Sequence, residues 1–135
     1  PTLTYNTIGR HLSRMVNTKV ISTKSPWMCD AKAGEIYTVP ISHGEGRFIA
    51  SPQQVLEFNK TGQIAAQYVD FDGIASMDSR FNPNQSVAAI EGIYSPDGRV
   101  FGKMAHSERC GAGISKNIYG QLEMPIFTSG VKYFK

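Results

Sequence analysis

Predicted strands outnumber predicted helices along this chain, and that proportion constrains the fold more than any other feature of the sequence. Several runs in which β-branched or apolar residues nearly alternate with polar ones are typical of strands. One segment has a helix-start pattern: Ser51 can cap a helix, Pro52 suits its first position, and Gln54 stands where a capping box places Glu or Gln. A doubly wound sheet needs a helix over each parallel strand. The pattern therefore predicts a strand-rich α/β or α+β chain, an odd proportion for a complete doubly wound domain.

A hairpin is the clearest local prediction. Pro96 lies inside the turn that joins its two strands, and Gly98 ends that turn. Loops are predicted at residues 25–34 and 76–85, and one or two short helices at residues 114–135. The predicted strands cover residues 14–21, 35–41, 63–69, 87–94 and 99–104.

Composition and charge exclude several classes of protein. With 135 residues, of which 41% are hydrophobic and 10% aromatic, the chain has enough apolar residues for a core, unlike a disordered segment. No run approaches the ~18 apolar residues of a membrane span, and the first residues lack the layout of a signal peptide. The 14 Lys and Arg residues outnumber the 11 Asp and Glu residues, but they are scattered rather than clustered as on a nucleic-acid-binding surface. Neither a membrane nor a nucleic acid is therefore expected as a partner.

The two cysteines indicate the cellular compartment, and the first residue indicates how the chain arose. Cys29 and Cys110 are far apart in sequence and form no Cys-x-x-Cys motif, which favours a reducing compartment. The chain begins at Pro1 without an initiator methionine, which indicates a processed or excised piece. A cytoplasmic location is therefore expected.

Two segments each place a histidine two residues before a glutamate, directly after a predicted strand. His43 precedes Glu45 in one segment, and His106 precedes Glu108 in the other. Just beyond a strand end, where the chain bends, a carboxylate two residues on can turn back to the ring. A His–carboxylate pair suits a general base, because the carboxylate fixes the tautomer and stabilises the imidazolium. Strand ends are also where α/β folds build their sites.

The residues alone leave several interpretations of these pairs open. A His-x-Glu pair is common by chance, and both pairs can be ordinary surface groups. The four side chains can instead ligate a metal ion in a stand-alone, β-rich, metal-dependent hydrolase. The zinc deaminase pattern is excluded, because no Pro-Cys-x-x-Cys follows either pair. The general-base interpretation lacks a nucleophile, because neither cysteine is on a strand-to-helix elbow and Cys110 is too close along the chain to serve His106.

Several motifs, in order along the chain, resemble the C-terminal part of phosphoribosylformylglycinamidine synthase. Residues 82–109, NPNQSVAAIEGIYSPDGRVFGKMAHSER, are similar to a family stretch that contains Asn-Pro-Asn-Gly-Ser, a Gly-Ile before a Gly-Arg-Val turn, and a closing His-Pro-Glu-Arg. Residues 41–48 resemble the Ala-His-Gly-Glu-Gly-Arg-Phe segment of the family, and residues 4–10 resemble its Arg-Asn-x-Ser segment. Residues 68–70 also have a counterpart there. Residues 126–134 are similar to the ending of the large single-chain form found in some bacteria.

The resemblance implies a flavodoxin-like, three-layer α/β glutamine amidotransferase fold, of which residues 1–135 are the C-terminal portion. It implies that His106 is the general base of a catalytic triad and Glu108 its orienting carboxylate. The nucleophilic cysteine belongs to the N-terminal part of the domain, which is not in this chain, so the chain alone is expected to be inactive. Ammonia released from glutamine passes to a synthetase domain of the same polypeptide. That domain uses ATP and Mg to convert formylglycinamide ribonucleotide to the amidine in purine biosynthesis, whereas no cofactor is expected in this chain.

The sequence departs from the family motifs at two positions near the implied site. Ser107 replaces the usual proline and Gln85 the usual glycine, and both lie beside the implied site rather than supply its chemistry. Without the strands that carry the nucleophile, a sheet edge or face is expected to be uncovered, which favours association or poor solubility. Weaker candidates for the glutamine pocket or a domain interface are His43, Glu45, Arg47, Asn6 and Arg10.

Overall fold

The computed structural model describes residues 1–135 and is built around a five-stranded sheet in which every neighbouring pair of strands is antiparallel. Its strand order is β3-β2-β5-β6-β7, and β1 pairs with β4 in a separate two-stranded sheet. The elements are β1 Thr2–Thr4, β2 Leu12–Val20, β3 Ile36–His43, β4 Arg47–Ile49, α1 Pro52–Lys60, β5 Ile64–Tyr68, β6 Ile90–Tyr94, β7 Phe101–Lys103 and α2 Ile126–Tyr133. Short 3-10 turns occupy Pro26–Met28 and Val87–Ala89.

The predicted strand-rich α/β character is confirmed, and the helix start has the predicted geometry. Ser51 Oγ accepts a hydrogen bond from the Gln54 backbone N–H at 3.2 Å, and the Gln54 side chain accepts one from the Ser51 N–H at 2.9 Å. This reciprocal pair satisfies two donors that would otherwise lack partners at the start of α1. The hairpin between β6 and β7 also forms, with Gly98 at φ 76° ending its turn.

Three features differ from the sequence-based expectations. The strand predicted from residue 87 begins only at Ile90, because Ala88 and Ala89 have φ angles of 50° and 55°, which no strand accommodates. Gln67 in β5 holds this turn by donating its side-chain N–H to the Ala88 carbonyl at 2.7 Å. The three-residue strands β1 and β4 were not predicted, because each depends on a partner more than 40 positions away. Part of the loop predicted at 25–34 is a 3-10 turn.

The main core lies between the five-stranded sheet and the layer formed by α2 with the 3-10 turn at Pro26–Met28. Trp27 packs against Gly130 of α2, where an added Cβ would lie 2.7 Å from the indole ring. The indole N–H donates to the Arg99 carbonyl at 2.8 Å, beside the start of β7. Neither helix is long and apolar enough to cross a membrane. The largest fully buried core side chains include Tyr37, Tyr68, Tyr94, Met28, Ile41 and Ile90.

The five-stranded sheet is curled, so that the segment after β7 reaches back to β3 at the opposite end of the strand order. The His106 N–H donates to the Pro40 carbonyl at 2.8 Å, and the Thr38 N–H donates to the Gln121 carbonyl at 2.8 Å. The edge of β3 is therefore partly occupied, and the association expected from an uncovered edge stays a prediction. The curl brings the segments that follow β3 and β7, which contain the two His-x-Glu pairs, into the same region.

Candidate active site

His106 and Glu108 form a direct pair in the turn that follows β7. His106 Nδ1 and Glu108 Oε1 are 2.7 Å apart, and the Arg109 N–H closes the turn by donating to the His106 carbonyl at 3.2 Å. An ionised carboxylate only accepts hydrogen bonds, so the proton of the neutral ring lies on Nδ1. The other ring nitrogen, Nε2, is then the basic one.

The environment of Glu108 keeps its carboxyl group ionised. Burial raises the pKa of Glu108, but hydrogen bonds from its own backbone N–H and from His106, together with the nearby charge of Arg109, bring the pKa below its ordinary value. The Glu108 side chain is 53% exposed and that of His106 is 28% exposed. The pair is thus a negatively charged acceptor beside a partly accessible ring, which is the arrangement that a general base requires.

His43 makes a different contact from the one that its sequence position suggested. Its Nε2 is 2.9 Å from Asn84 Nδ2, and the same amide N–H₂ group also donates to the Gly46 carbonyl. The Gly46 oxygen only accepts, which fixes the amide orientation and makes His43 Nε2 an acceptor. Asn84 is fully buried. The basic nitrogen of His43 is therefore committed to a buried amide and is not available to a substrate.

The expected pairing of His43 with Glu45 does not form. Glu45 is exposed and makes no side-chain hydrogen bond or ion pair. Two contacts explain this: the chain folds so closely over the ring that a Cβ at Gly46 would overlap it, and the distant Asn84 is hydrogen-bonded to the ring nitrogen. The prediction that a carboxylate two residues on returns to the ring is thus wrong here, although the His106 segment does follow it.

The arrangement of the side chains does not support the metal-site interpretation. No group of three or more His, Cys, Asp or Glu side chains in residues 1–135 is arranged to hold a metal ion. His43 explains part of this result, since its Nε2 is hydrogen-bonded to Asn84 and is not free to ligate a metal ion. The metal-dependent hydrolase therefore has no ligand set.

Of the remaining candidate site residues, Asn6 is buried and links two segments of the chain, whereas the others are more exposed. Asn6 is buried; its side-chain N–H₂ group donates to the Arg10 carbonyl at 3.0 Å and to the His43 carbonyl at 2.8 Å. Asn6 Oδ1 accepts from the Gly46 N–H at 3.3 Å, so this residue joins the N-terminal segment to the turn after β3. Arg47 donates from Nε to the Gln85 carbonyl at 3.3 Å. Arg10, like Glu45, is exposed, and a role for any of them in a pocket or interface stays a prediction.

A cavity of about 550 Å³ opens beside the His106–Glu108 pair and includes both side chains in its lining. Its apolar lining includes Trp27, Phe101 and Phe127. A cavity of this volume is within the range of small-molecule sites. The sequence carried no signal for it, because its walls come from the 3-10 turn at Pro26–Met28, from β7 and from α2, which meet only in the folded chain.

Two buried polar features were missed by the sequence analysis. One is Asn84, and the other is a buried ion pair between Glu91 and Lys103, whose Nζ and Oε1 atoms are 3.2 Å apart. Glu91 is the only charged residue in the apolar run from Val87 to Tyr94, which is a signal that its strand carries a buried charge.

Because the environment of His43 disfavours its charged form, the stability of the protein is expected to fall on mild acidification. Burial is the main cause that lowers the pKa of His43, and repulsion between protonated rings of His43, His106 and His11 lowers it further. A hydrogen bond to the Met104 backbone and the charge of Glu91 oppose these effects without cancelling them. The unfolded chain takes up this proton near its ordinary pKa of about 6.5, whereas the folded chain resists it. The neutral His43 ring thus contributes fully to the free energy of unfolding above about pH 6.5. This contribution is lost as the pH falls towards the lower pKa of His43 in the folded protein.

Urea denaturation between pH 5 and 7.5 measures this dependence. We expect the His43→Gln variant to have a smaller slope of unfolding free energy against pH than the parent protein. The matched His11→Gln control, at an exposed ring, is expected to keep most of the slope. Equal slopes in the parent and His43→Gln would contradict the assignment of the effect to His43.

Comparison with known proteins agrees with the fold. Residues 1–134 match the family model of the CobB/CobQ-like glutamine amidotransferase domain, so this chain belongs to that family. The strand-rich sheet is thus part of a glutamine amidotransferase domain, whereas a catalytic role for the His106–Glu108 pair stays a prediction.

Curated proteins similar to this chain are named as one particular enzyme subunit. The chain is 38% identical over 91 residues to phosphoribosylformylglycinamidine synthase subunit PurQ of Thermomicrobium roseum, covering 67% of this chain and 38% of the relative. It is 31% identical over 132 residues to the same subunit of Methanosarcina barkeri, covering 97% of this chain and 54% of the relative. A chain in the solved structure of PurLQS from Thermotoga maritima matches with a TM-score of 0.71 and 25% identity, over 99% of this chain and 53% of that one.

The chain covers only part of the length of its relatives. It spans about half or less of the length of the curated relatives that it matches. Those relatives are named as a subunit, so the expectation of a large single polypeptide stays a prediction.

Proposed function

We propose that this chain supplies the His–Glu part of a glutaminase site and that a cysteine outside residues 1–135 supplies the nucleophile. The observation that carries the proposal is the 2.7 Å contact between His106 Nδ1 and Glu108 Oε1, which leaves Nε2 as a base without a thiol of its own. Cys110 Sγ donates to the Ser107 carbonyl at 3.2 Å, and Cys29 Sγ donates to the Ser129 carbonyl at 3.4 Å. Neither thiol is hydrogen-bonded to His106.

The proposed chemistry is nucleophilic acyl transfer. Nε2 of His106 takes the proton of the cysteine thiol, and the thiolate attacks the carbon of the glutamine side-chain amide. The protonated ring then gives its proton to the departing nitrogen, which leaves as ammonia, and a thioester remains. Water, deprotonated by His106, hydrolyses the thioester to glutamate and regenerates the thiol. Glu108 stabilises the imidazolium in both halves of the cycle.

The place of this glutaminase in metabolism is the second part of the proposal. The relatives named PurQ support a role in phosphoribosylformylglycinamidine synthase, with ammonia passed to a synthetase partner. The ATP-dependent step belongs to that partner, together with ATP and Mg. The similarity of residues 126–134 to the ending of the single-chain form favours a synthetase domain in the same polypeptide. A cytoplasmic location fits this role in purine biosynthesis. Here the full-length protein means this chain joined to the nucleophile-bearing and synthetase segments.

A comparison of the isolated 135-residue chain with the full-length protein tests this proposal. We expect the full-length protein to release ammonia from glutamine and the isolated chain to release none above the buffer rate. A folded isolated chain that hydrolysed glutamine would contradict the proposal, because it would need no outside cysteine. A full-length protein that formed the amidine from ammonia but never from glutamine would contradict it as well.

A further inference from the structure

We propose that the buried Glu91–Lys103 ion pair is a positioning element that holds the backbone on both sides of His106 and so aims its ring. This inference rests on the proposed function, because it assigns the pair to the same site. Neither side chain is hydrogen-bonded to the ring. Lys103 is among the residues that line the cavity beside His106, but its ammonium binds Glu91, the Ala105 carbonyl and the Ser107 hydroxyl, so the pair acts through the segment that carries His106.

The two charged side chains come from adjacent strands and are withdrawn from water. Glu91 lies in β6 and Lys103 in β7, with Oε1 and Nζ 3.2 Å apart. The Glu91 side chain is 0% exposed and that of Lys103 is 12% exposed. The second carboxylate oxygen of Glu91 accepts from the Thr18 hydroxyl at 3.2 Å, which anchors the pair to β2. The pair is therefore attached to three strands of the sheet, β2, β6 and β7.

Both members of the pair bind the residues that flank His106. Glu91 Oε1 accepts from the Ala105 N–H at 2.8 Å, and Lys103 Nζ donates to the Ala105 carbonyl at 2.7 Å. Lys103 Nζ also donates to the Ser107 hydroxyl at 2.9 Å. Both polar backbone groups of the residue before His106, and the side chain of the residue after it, are thus held by one ion pair. The His106 N–H is held separately by Pro40.

Stability alone is a weak reason for this arrangement. Taking two charges out of water is costly, and an apolar pair of similar volume is often at least as stabilising. A buried charged pair instead fixes the positions of the groups that it binds, because each charge forms short hydrogen bonds to defined partners. Here those partners are the peptide groups beside the candidate base. An apolar pair at these positions would leave the Ala105 N–H and carbonyl without their partners.

Ser107 extends the tether to the far side of His106. It is buried, and the Lys103 ammonium donates to its hydroxyl at 2.9 Å, so the chain after His106 is restrained as well as the chain before it.

The test uses the full-length protein and the double variant Glu91→Gln/Lys103→Met, which removes both charges and keeps similar side-chain volumes. Because a misplacement of about 1 Å can cost 10²-fold in rate, we expect kcat for the glutamine-dependent reaction to fall about 10- to 100-fold. KM for glutamine and the ammonia-dependent rate are expected to stay within about twofold of the parent, since neither depends on the base. The matched control is Lys60→Met at an exposed lysine of α1, with all rates expected to be unchanged.

A spectroscopic measurement separates positioning from loss of fold. In the double variant the His106 Nδ1–H resonance is expected to exchange faster with water than in the parent, while the melting temperature stays within a few degrees. A kcat within twofold of the parent, or a loss of kcat that follows a loss of folded protein, would overturn the inference. If His106→Ala retained glutamine-dependent activity, the proposed function would fail instead. If that variant lost activity while the double variant kept it, only the positioning inference would fail.

Discussion

Replacing His106 with alanine in the full-length protein is expected to lower glutamine-dependent turnover by about 10³-fold or more while leaving ammonia-dependent turnover intact. The variant removes the proposed proton acceptor for the nucleophile and the proposed proton donor for the leaving nitrogen. Ammonia supplied from solution bypasses both steps. The measurement is the rate of product formation with glutamine and with an ammonium salt, in parallel.

The control for this variant is His11→Ala, at an exposed histidine whose Nε2 contacts only the Ser42 hydroxyl at 3.1 Å. Both reactions of the control are expected to stay near the parental rates. If His106→Ala lost the ammonia-dependent reaction to the same extent, the residue would be needed for the fold or for the synthetase step, and its assignment as a glutaminase base would be wrong.

The second large effect is expected for Glu108→Gln, with a loss of about 10²-fold in the glutamine-dependent rate. The substitution keeps the shape of the side chain but removes the negative charge that stabilises a protonated His106. A fully buried carboxylate in such a pair is worth up to about 10⁴-fold. The smaller figure is expected here because the Glu108 side chain is half exposed and water screens part of its charge.

Glu57→Gln is the matched control, because Glu57 is an exposed glutamate of α1. Its rates are expected to be unchanged with either nitrogen source. A Glu108→Gln variant with an unaltered glutamine-dependent rate would show that the 2.7 Å contact has no part in proton transfer.

Features that depend only on a few residues close together in the sequence could be predicted. Ser51 and Gln54 form their capping box through contacts three residues apart, and the turn that ends at Gly98 depends on four consecutive residues. The His106–Glu108 contact is of the same kind, since its two residues lie two positions apart in one turn.

Features that depend on distant partners could not be predicted. The contact that determines the tautomer of His43 comes from Asn84, 41 positions away, so the local pattern shared with His106 was misleading. The ion pair of Glu91 and Lys103 depends on the β6–β7 pairing and on the burial of both side chains. Nor does local alternation show that β5 and β6 have an irregular register, or that β6 begins after a turn with positive φ angles.

The central claim is that His106 serves a cysteine outside residues 1–135, and covalent labelling tests it most directly. A glutamine analogue with a diazoketone in place of the side-chain amide alkylates the thiolate of a glutaminase site, and peptide mapping by mass spectrometry locates the label. In the full-length protein we expect a single labelled cysteine outside these residues, with labelling much slower in His106→Ala. A label on Cys29 or Cys110, or labelling that is independent of His106, would contradict the claim.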